Sequence, residues 1–334
     1  MRTTSLGDMA HTFMLQRRSA NLRHEMARLT DELSSGQVSD IKSVLSGNHA
    51  YLTGIERSFD TLAGYSVANT EARHFGDTMQ TVLENIQNSS GQLAADLTLA
   101  GSQTTSAVSS GITDTAGQNL QSMIAALNTS VAGRGLFGGT ATDRASLNDA
   151  QTLLNALSVA VGPQASATDA MNAATAWFDD PAGFTAMIYN GSADTLAPIQ
   201  LADQVQVSFD IRANDPELRE ALKHAAMAAL AENPTIGLNQ SAQRTLYTLT
   251  GNGLLAAQDD LVAVRARLGS TQASIEDTTA RNSAEKTSLE IARNTLLAAD
   301  PFETATRLDE VQFQLQSLYS VTVRSGQLSL VNFL

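Results

Sequence analysis

The sequence predicts a mostly α-helical protein in which two long helices pair antiparallel as a coiled-coil rod and carry an inserted α+β domain. Apolar residues recur every seven positions in two long stretches without proline, and a segment of different composition separates these stretches. Aromatic residues make up only 5% of the chain. Because buried rings supply much of the apolar area of large globular cores, this low content favours long helices that pack through narrow seams.

The first heptad stretch runs from Ile55 to Ala100. Its apolar positions alternate by three and four residues, and they therefore fall on one stripe of a helix. The residues assigned to the seam of this helix include Leu62, Asn69, Leu83, Ile86 and Leu97. A helix of about 45 residues would be roughly 70 Å long.

The second heptad stretch has a similar length and lies towards the other end of the chain. Its seam residues are Leu254, Leu261, Leu268, Ile275, Asn282, Leu289 and Leu296. Asp300 and Pro301 end the stretch, because the residue before a proline avoids helical backbone angles. Two long seams can bury each other. They run antiparallel because the chain leaves along one helix and returns along the other.

Each seam contains an asparagine, and the spacing relates the two. When Leu97 is placed beside Leu254, the same register brings Asn69 beside Asn282. A polar seam residue costs stability but fixes the register when it meets a hydrogen-bonding partner. We therefore predict that the two asparagines lie in one layer, within about one helical turn (~5.4 Å). The alternative is that each asparagine faces water.

Shorter apolar stripes lie nearer the ends of the chain. We predict that these stripes contact other subunits, because an apolar surface without cover marks an interaction site. The alternative is that they pack on the core of the chain itself. The candidate assembly residues are Leu15, Leu22, Met26, Leu29, Leu33, Leu308, Val311, Leu315, Leu318, Leu328, Leu330, Val331, Phe333 and Leu334.

The middle of the chain differs from both ends. Two helical patterns are followed by strand-like sequence from Ala186 to Ile211, in which apolar and polar residues alternate near the end. A further helix begins near Pro216. The predicted domains are residues 1–40 and 301–334 for terminal assembly, residues 41–145 and 234–300 for the helical rod, and residues 146–233 for the inserted α+β outer domain.

Charge and composition exclude several classes of partner. The net charge of −13 argues against nucleic acid and anionic membrane surfaces, since such binding depends on Lys and Arg. Cysteine is absent, so neither disulfides nor thiolate metal sites form. No run of 18 apolar residues predicts a membrane helix. The first 20 residues lack a secretory signal pattern, and on composition alone the prediction is a cytoplasmic protein.

Two motifs have the spacing of chemical sites. Gly133, Gly135 and Gly138 form G-x-G-x-x-G, but helical spacing precedes them where a dinucleotide fold needs a strand. Glu71 and His74 make one Glu-x-x-His step, whereas a di-iron bundle needs two such steps and two further glutamates. We therefore predict a glycine-rich turn and a solvated helix face. No catalytic, cofactor-binding or metal-binding residue is assigned, and no enzyme is predicted.

Several segments near the two ends carry a family resemblance. Leu29–Gly36 reads Leu-Thr-Asp-Glu-Leu-Ser-Ser-Gly, Gly135–Asp143 reads Gly-Leu-Phe-Gly-Gly-Thr-Ala-Thr-Asp, and Leu328–Leu334 reads Leu-Ser-Leu-Val-Asn-Phe-Leu. Together with Ala305–Leu308 and Gln312–Tyr319, these segments resemble the flagellin family and, among its members, the hook-associated proteins of the hook–filament junction. The resemblance covers most of the chain outside the middle segment.

The resemblance implies a structural component of the bacterial flagellum, an adaptor ring that joins the hook to the flagellin filament. It implies as partners the other hook-junction protein, flagellin, further copies of this chain and a flagellar export chaperone. It also implies export through the flagellar type III apparatus without a cleaved signal peptide, and hence an extracellular location on the flagellum. Two alternatives stay open: a short flagellin that forms the filament itself, and a cytosolic coiled-coil scaffold.

Overall fold

The computed structural model describes residues 6–40, 49–102 and 106–331, and it describes side chains for residues 9–40, 49–102 and 111–324. Most of these residues are helical, and the strands are short. The predicted mostly α-helical fold with a small β contribution is therefore confirmed.

The elements are numbered in chain order. The helices are α1 (Leu6–Ser35), α2 (His49–Ser102), α3 (Ser106–Leu127), α4 (Ala150–Val161), α5 (Ala167–Asp179), α6 (Pro216–Ala229), α7 (Gln240–Leu297) and α8 (Pro301–Val331). A π-helical turn, Pro181–Thr185, follows α5. Strands β1 (Ser130–Val131) and β2 (Arg134–Gly135) form one antiparallel hairpin, and β3 (Ile199–Ala202) and β4 (Val205–Val207) form another.

The chain divides into two compact units. The terminal unit comprises residues 1–62 and 283–334, and the central unit comprises residues 63–282. Helices α2 and α7 each contribute to both units. The boundaries predicted for an inserted domain at residues 146–233 stay a prediction.

Within the central unit, α2 and α7 run antiparallel, which is the predicted direction. The amide of Gln272 donates a hydrogen bond to Asp77 at 2.7 Å. Nearer the start of α7, the guanidinium of Arg265 donates a hydrogen bond to the side-chain oxygen of Gln87 at 2.6 Å. Contacts that move forward on α2 as they move back on α7 define an antiparallel pair.

The register of this pair differs from the predicted one by three residues. A Cβ atom added to Gly251 would lie 3.3 Å from Cβ of Leu97, whereas the prediction placed Leu254 beside Leu97. Gly101 likewise approaches Thr248 so closely that an added Cβ would overlap its hydroxyl. Gly101 and Gly251 account for this difference, because each lets the other helix come close at that point. The spacing of the leucines alone does not show where the two backbones can approach each other.

Both seam asparagines are buried, so the alternative that they face water is wrong. Asn69 is 2% exposed and Asn282 is 8% exposed. The amide of Asn282 donates a hydrogen bond to the carbonyl oxygen of Leu201 in β3 at 2.8 Å, and the two amide atoms of Asn69 have no partner among the described residues. Gly76 of α2 lies beside Gln272 of α7. If this register is continued along both helices, Asn69 lies about three residues, ~4.5 Å along the helix axis, from the level of Asn282.

The β3–β4 hairpin is shorter than the alternating sequence predicted. Strand β4 ends at Val207 because its partner β3 is a short strand. Phe209 and Ile211, which follow β4, are still buried, and Phe209 packs on Phe75 of α2 with ring centroids 4.9 Å apart. Tyr189, also predicted to be in a strand, forms an isolated bridge after the π-helical turn. The alternation therefore predicted burial correctly and strand length incorrectly.

In the terminal unit, α1 packs against α8. Helix α1 ends at Ser35, and the next residue, Gly36, has a φ of 69° that glycine readily adopts, as the Ser-Ser-Gly sequence predicts. The backbone then joins the end of α7 through hydrogen bonds from Val38 to Leu297 and from Ala299 to Gly36, each 2.9 Å long. Helix α7 ends at Leu297 and α8 begins at Pro301, in agreement with the predicted break.

Candidate assembly surface

The predicted terminal stripes pack largely within the chain. Leu29 and Val311 are buried, and Leu33 is 40% exposed. The half-buried members are Leu15, Leu22, Met26, Leu308, Leu315 and Leu318. Because α1 packs on α8, these side chains already have neighbours in the same molecule. Their role in contacts between subunits stays a prediction.

The last predicted assembly residues fall beyond the described side chains. Leu328, Leu330 and Val331 belong to α8, but their side chains lie outside the described residues. Phe333 and Leu334 lie outside the described residues altogether.

Other large apolar side chains on α1 and α8 are exposed, and the sequence reasoning missed them. Among the phenylalanines with described side chains, Phe13, Phe302 and Phe313 are the ones more than 60% exposed, and all three lie on these two helices. The remaining exposed members are Met9, Met14, Tyr319, Val321 and Val323. We use the name terminal apolar face for these residues together with the three phenylalanines, because all of them are exposed on α1 or α8. The sequence signal that could have identified them is the presence of bulky apolar residues next to the predicted apolar stripes.

A groove lies between α1 and α8. Its volume is about 430 Å³, and Leu15, Ser19 and Leu318 contribute to its lining. The Ser19 hydroxyl oxygen is buried without a hydrogen-bond partner among the described residues. At one side, Arg23 Nε donates a hydrogen bond to the hydroxyl of Tyr319 at 3.1 Å, and its guanidinium lies over the tyrosine ring. This arrangement is suited to packing and contains no catalytic constellation.

The predicted seam residues follow a different pattern, since most of them are buried. The buried members are Leu62, Asn69, Leu83, Ile86, Leu97, Leu254, Leu261, Leu268, Ile275 and Asn282. Leu289 and Leu296 are half-buried. The seam therefore supplies much of the apolar core of α2 and α7, and its coiled-coil character stays a prediction.

The glycine cluster forms a tightly packed loop. Strands β1 and β2 are joined by a turn in which Ala132 and Gly133 have positive φ angles of 51° and 78°. After the buried Phe137, Gly139 lies so close to the carbonyl oxygen of Asp194 that a side chain would overlap it. Thr140 then donates a backbone hydrogen bond to the same carbonyl at 3.0 Å. The cluster therefore packs one loop against another. No helix begins directly after it, as a phosphate-binding motif would need, because α4 starts only at Ala150.

The remaining candidates for chemistry lie apart. Glu71 and His74 are exposed on α2. Within residues 9–40, 49–102 and 111–324, no group of three or more His, Asp or Glu side chains is placed to hold a metal ion. Burial raises the pKa of Tyr247, whose hydroxyl is 2.8 Å from that of Thr113, and both groups belong to the packed interface of α3 with α7.

Comparisons with known proteins agree with this architecture. Residues 254–334 match the family model for the bacterial flagellin C-terminal helical region. A search of curated protein sequences found no match. A structure described as a flagellar hook-associated protein from Vibrio parahaemolyticus has a TM-score of 0.55 and 16% identity, over 75% of this chain and 99% of that one. FlgL of Bacillus cereus has a TM-score of 0.54 and 12% identity, over 72% and 99%.

This chain carries, over residues 254–334, a segment similar to the C-terminal helical region of bacterial flagellin. Its fold is that of the flagellar hook-associated proteins. The resemblance predicted from the end segments is thereby confirmed. In the part of the chain that the structure describes, no helix is both long and apolar enough to cross a membrane.

Proposed function

We propose that this protein is the adaptor that joins the flagellar hook to the flagellin filament. The observation that carries the proposal is the terminal apolar face, which is exposed on a chain whose fold is shared with hook-associated proteins. Each large apolar side chain that a subunit contact buries contributes roughly 1.5–3 kcal/mol. Repeated around a ring, such contacts are sufficient to hold a subunit in an assembly.

The proposed partners are further copies of this chain, the other hook-junction protein and flagellin. Before assembly, an export chaperone would cover the terminal helices, and the protein would leave the cell through the flagellar type III apparatus. The fold likeness to hook-associated proteins supports an adaptor over a short flagellin. A cytosolic scaffold has no comparable support, because the C-terminal helices match the flagellin family.

Deletion of the gene tests the junction role directly. The deletion strain should keep its hooks and release flagellin monomers into the medium, because filament subunits would have no platform on which to polymerise. Electron microscopy of the cells and gel analysis of the medium measure both effects. Long filaments on the deletion strain would show that the junction assignment is wrong.

A pair of substitutions tests the terminal apolar face. Phe313→Glu places a charge on α8 at a residue that is 70% exposed, and Val159→Glu does the same on α4 at a residue that is 77% exposed. We expect Phe313→Glu to remove the protein from sheared flagella and Val159→Glu to leave its incorporation unchanged. Circular dichroism should show the same helix content in both variants. Normal incorporation of Phe313→Glu would contradict a role for this face.

A further inference from the structure

A polar groove lies in the central unit. It runs between α3 and α4 and has a volume of about 920 Å³, within the range of many ligand sites. Its small or apolar lining residues include Gly117, Ala125 and Leu154. Its polar lining residues are Asp114, Gln118 and Gln121 from α3, Asn148 and Asp149 just before α4, Gln151 in α4, and Asn190. We call this the amide groove.

The α3 wall of the amide groove presents hydrogen-bonding groups in a row. Asp114, Gln118 and Gln121 are spaced by four and three residues, so they share one face of the helix. All three are exposed, and the amides of Gln118 and Gln121 have no side-chain hydrogen-bond partner among the described residues. Each amide offers both a donor and an acceptor, which is also what a peptide group offers. A row of such groups matches the edge of an extended polypeptide.

The length of the groove supports the same occupant. From Asp114 to Asn128, both of which line it, α3 and the turn after it advance about 14 residues, or ~21 Å. An extended chain covers that distance with about six residues at ~3.3 Å each. A sugar chain usually stacks on an aromatic ring, and the described residues that line this groove include no aromatic side chain.

The charge of the groove indicates the composition of the occupant. The described lining contains Asp114 and Asp149 and neither Lys nor Arg. Asp149 caps α4 by accepting hydrogen bonds from the backbone and the hydroxyl of Thr152, and these bonds hold the pKa of its carboxyl below the usual value. The described lining therefore has acidic side chains and no basic ones, which favours a basic occupant. We propose that the amide groove binds an extended, basic segment of a partner polypeptide.

Two glycines on α3 allow a matched test. Nothing lies within 4 Å of a Cβ atom added to either Gly117, which lines the groove, or Gly111, which does not. Gly117→Leu therefore adds a side chain to the groove lining at a position where its Cβ atom meets no neighbour, and Gly111→Leu is its control. Leucine has a higher helix propensity than glycine, so both variants should keep α3 folded.

The measurement is the fluorescence anisotropy of a labelled peptide with the sequence Lys-Thr-Lys-Thr-Lys-Thr-Lys added to the full chain. We expect binding that Gly117→Leu weakens roughly tenfold or more, and that Gly111→Leu leaves unchanged. The same peptide with Glu in place of Lys should not bind. Equal binding to the two variants, no binding of the basic peptide, or its displacement by cellohexaose would each overturn the proposal. The deletion strain tests the junction role separately.

Discussion

At the scale of single residues, glycines decide how closely α2 and α7 approach. The side chain of Thr248 of α7 packs against Gly101 of α2, and the side chain of Thr98 of α2 packs against Gly251 of α7. The contacts are reciprocal, so each helix provides one gap and one hydroxyl-bearing side chain. A glycine in a helix costs conformational entropy, and here that cost is offset by close packing of the two backbones.

A comparison of two alanine substitutions measures this effect. A Cβ atom at Gly101 would overlap the Thr248 hydroxyl and lie 3.1 Å from the carbonyl oxygen of Arg244, whereas Gly269 has nothing within 4 Å. We expect Gly101→Ala to lower the free energy of unfolding by about 1–3 kcal/mol because the helices must separate. Gly269→Ala should raise it by up to about 1 kcal/mol. Urea denaturation gives both values, and a stabilising Gly101→Ala would contradict the close contact.

Glu220 on α6 contacts both Lys223 and His224. Its carboxylate accepts a hydrogen bond from Lys223 at 2.7 Å and lies 3.5 Å from Nε2 of His224. The His224 hydrogen bond, followed by the hydrogen bond and charge of Lys223, lowers the pKa of Glu220 to about 2. Lys223 is 5% exposed, so Glu220 compensates a nearly buried charge.

The lowered pKa of Glu220 predicts a pH dependence of stability. The carboxylate stabilises the folded state above its ordinary pKa of 4.5, and this contribution is lost as the pH falls towards 2. Because 42% of the side chain is exposed, solvent screening limits the effect to below about 1 kcal/mol. Glu220→Gln should therefore lower Tm at pH 7 and flatten the dependence of Tm between pH 4.5 and pH 2. Glu71→Gln, at an exposed position, should change neither.

At the scale of elements, the two seam asparagines have different roles. Asn282 of α7 connects its helix to the β3–β4 hairpin through the Leu201 carbonyl, whereas Asn69 of α2 buries an amide without a partner among the described residues. An unsatisfied buried polar group costs about 1–3 kcal/mol. Asn282 therefore attaches the hairpin to α7, whereas Asn69 lowers the stability of the fold.

Leucine substitutions separate these roles. Asn69→Leu should raise the free energy of unfolding by about 1 kcal/mol, because it removes an unpaired buried amide. Asn282→Leu should lower the free energy of unfolding by about 1–3 kcal/mol, because the Leu201 carbonyl loses its donor. Guanidinium denaturation of the two variants tests both signs. If Asn69→Leu were as destabilising as Asn282→Leu, the Asn69 amide would have a structural partner after all.

At the scale of the whole molecule, the two compact units predict separable effects. Residues 328–334 belong to the terminal unit, and the core of α2, α3, α6 and α7 lies in the central unit. Removal of residues 328–334 should block incorporation into the flagellum and leave the thermal unfolding of the central unit unchanged. Swimming assays and calorimetry measure the two outcomes. A truncated strain that swims normally would exclude these residues from assembly.

The sequence by itself determined the class of fold and the resemblance to the flagellin family. Heptad spacing predicted helices around residues 55–100 and 254–296, and Pro301 and Gly36 marked helix boundaries, because these signals act through local backbone preferences. The antiparallel direction followed from connectivity. Alternation near Val207 and Phe209 predicted which side chains are buried.

The tertiary structure alone decided which surfaces remain open. A stripe shows that one face of a helix is apolar, but Leu29 and Val311 are buried within the chain while Phe13 and Phe313 are exposed. The register of α2 with α7 and the amide groove between α3 and α4 also depend on residues far apart in sequence. Local periodicity carries no information on which face meets which, because the choice depends on the packing energy of the whole assembly of helices.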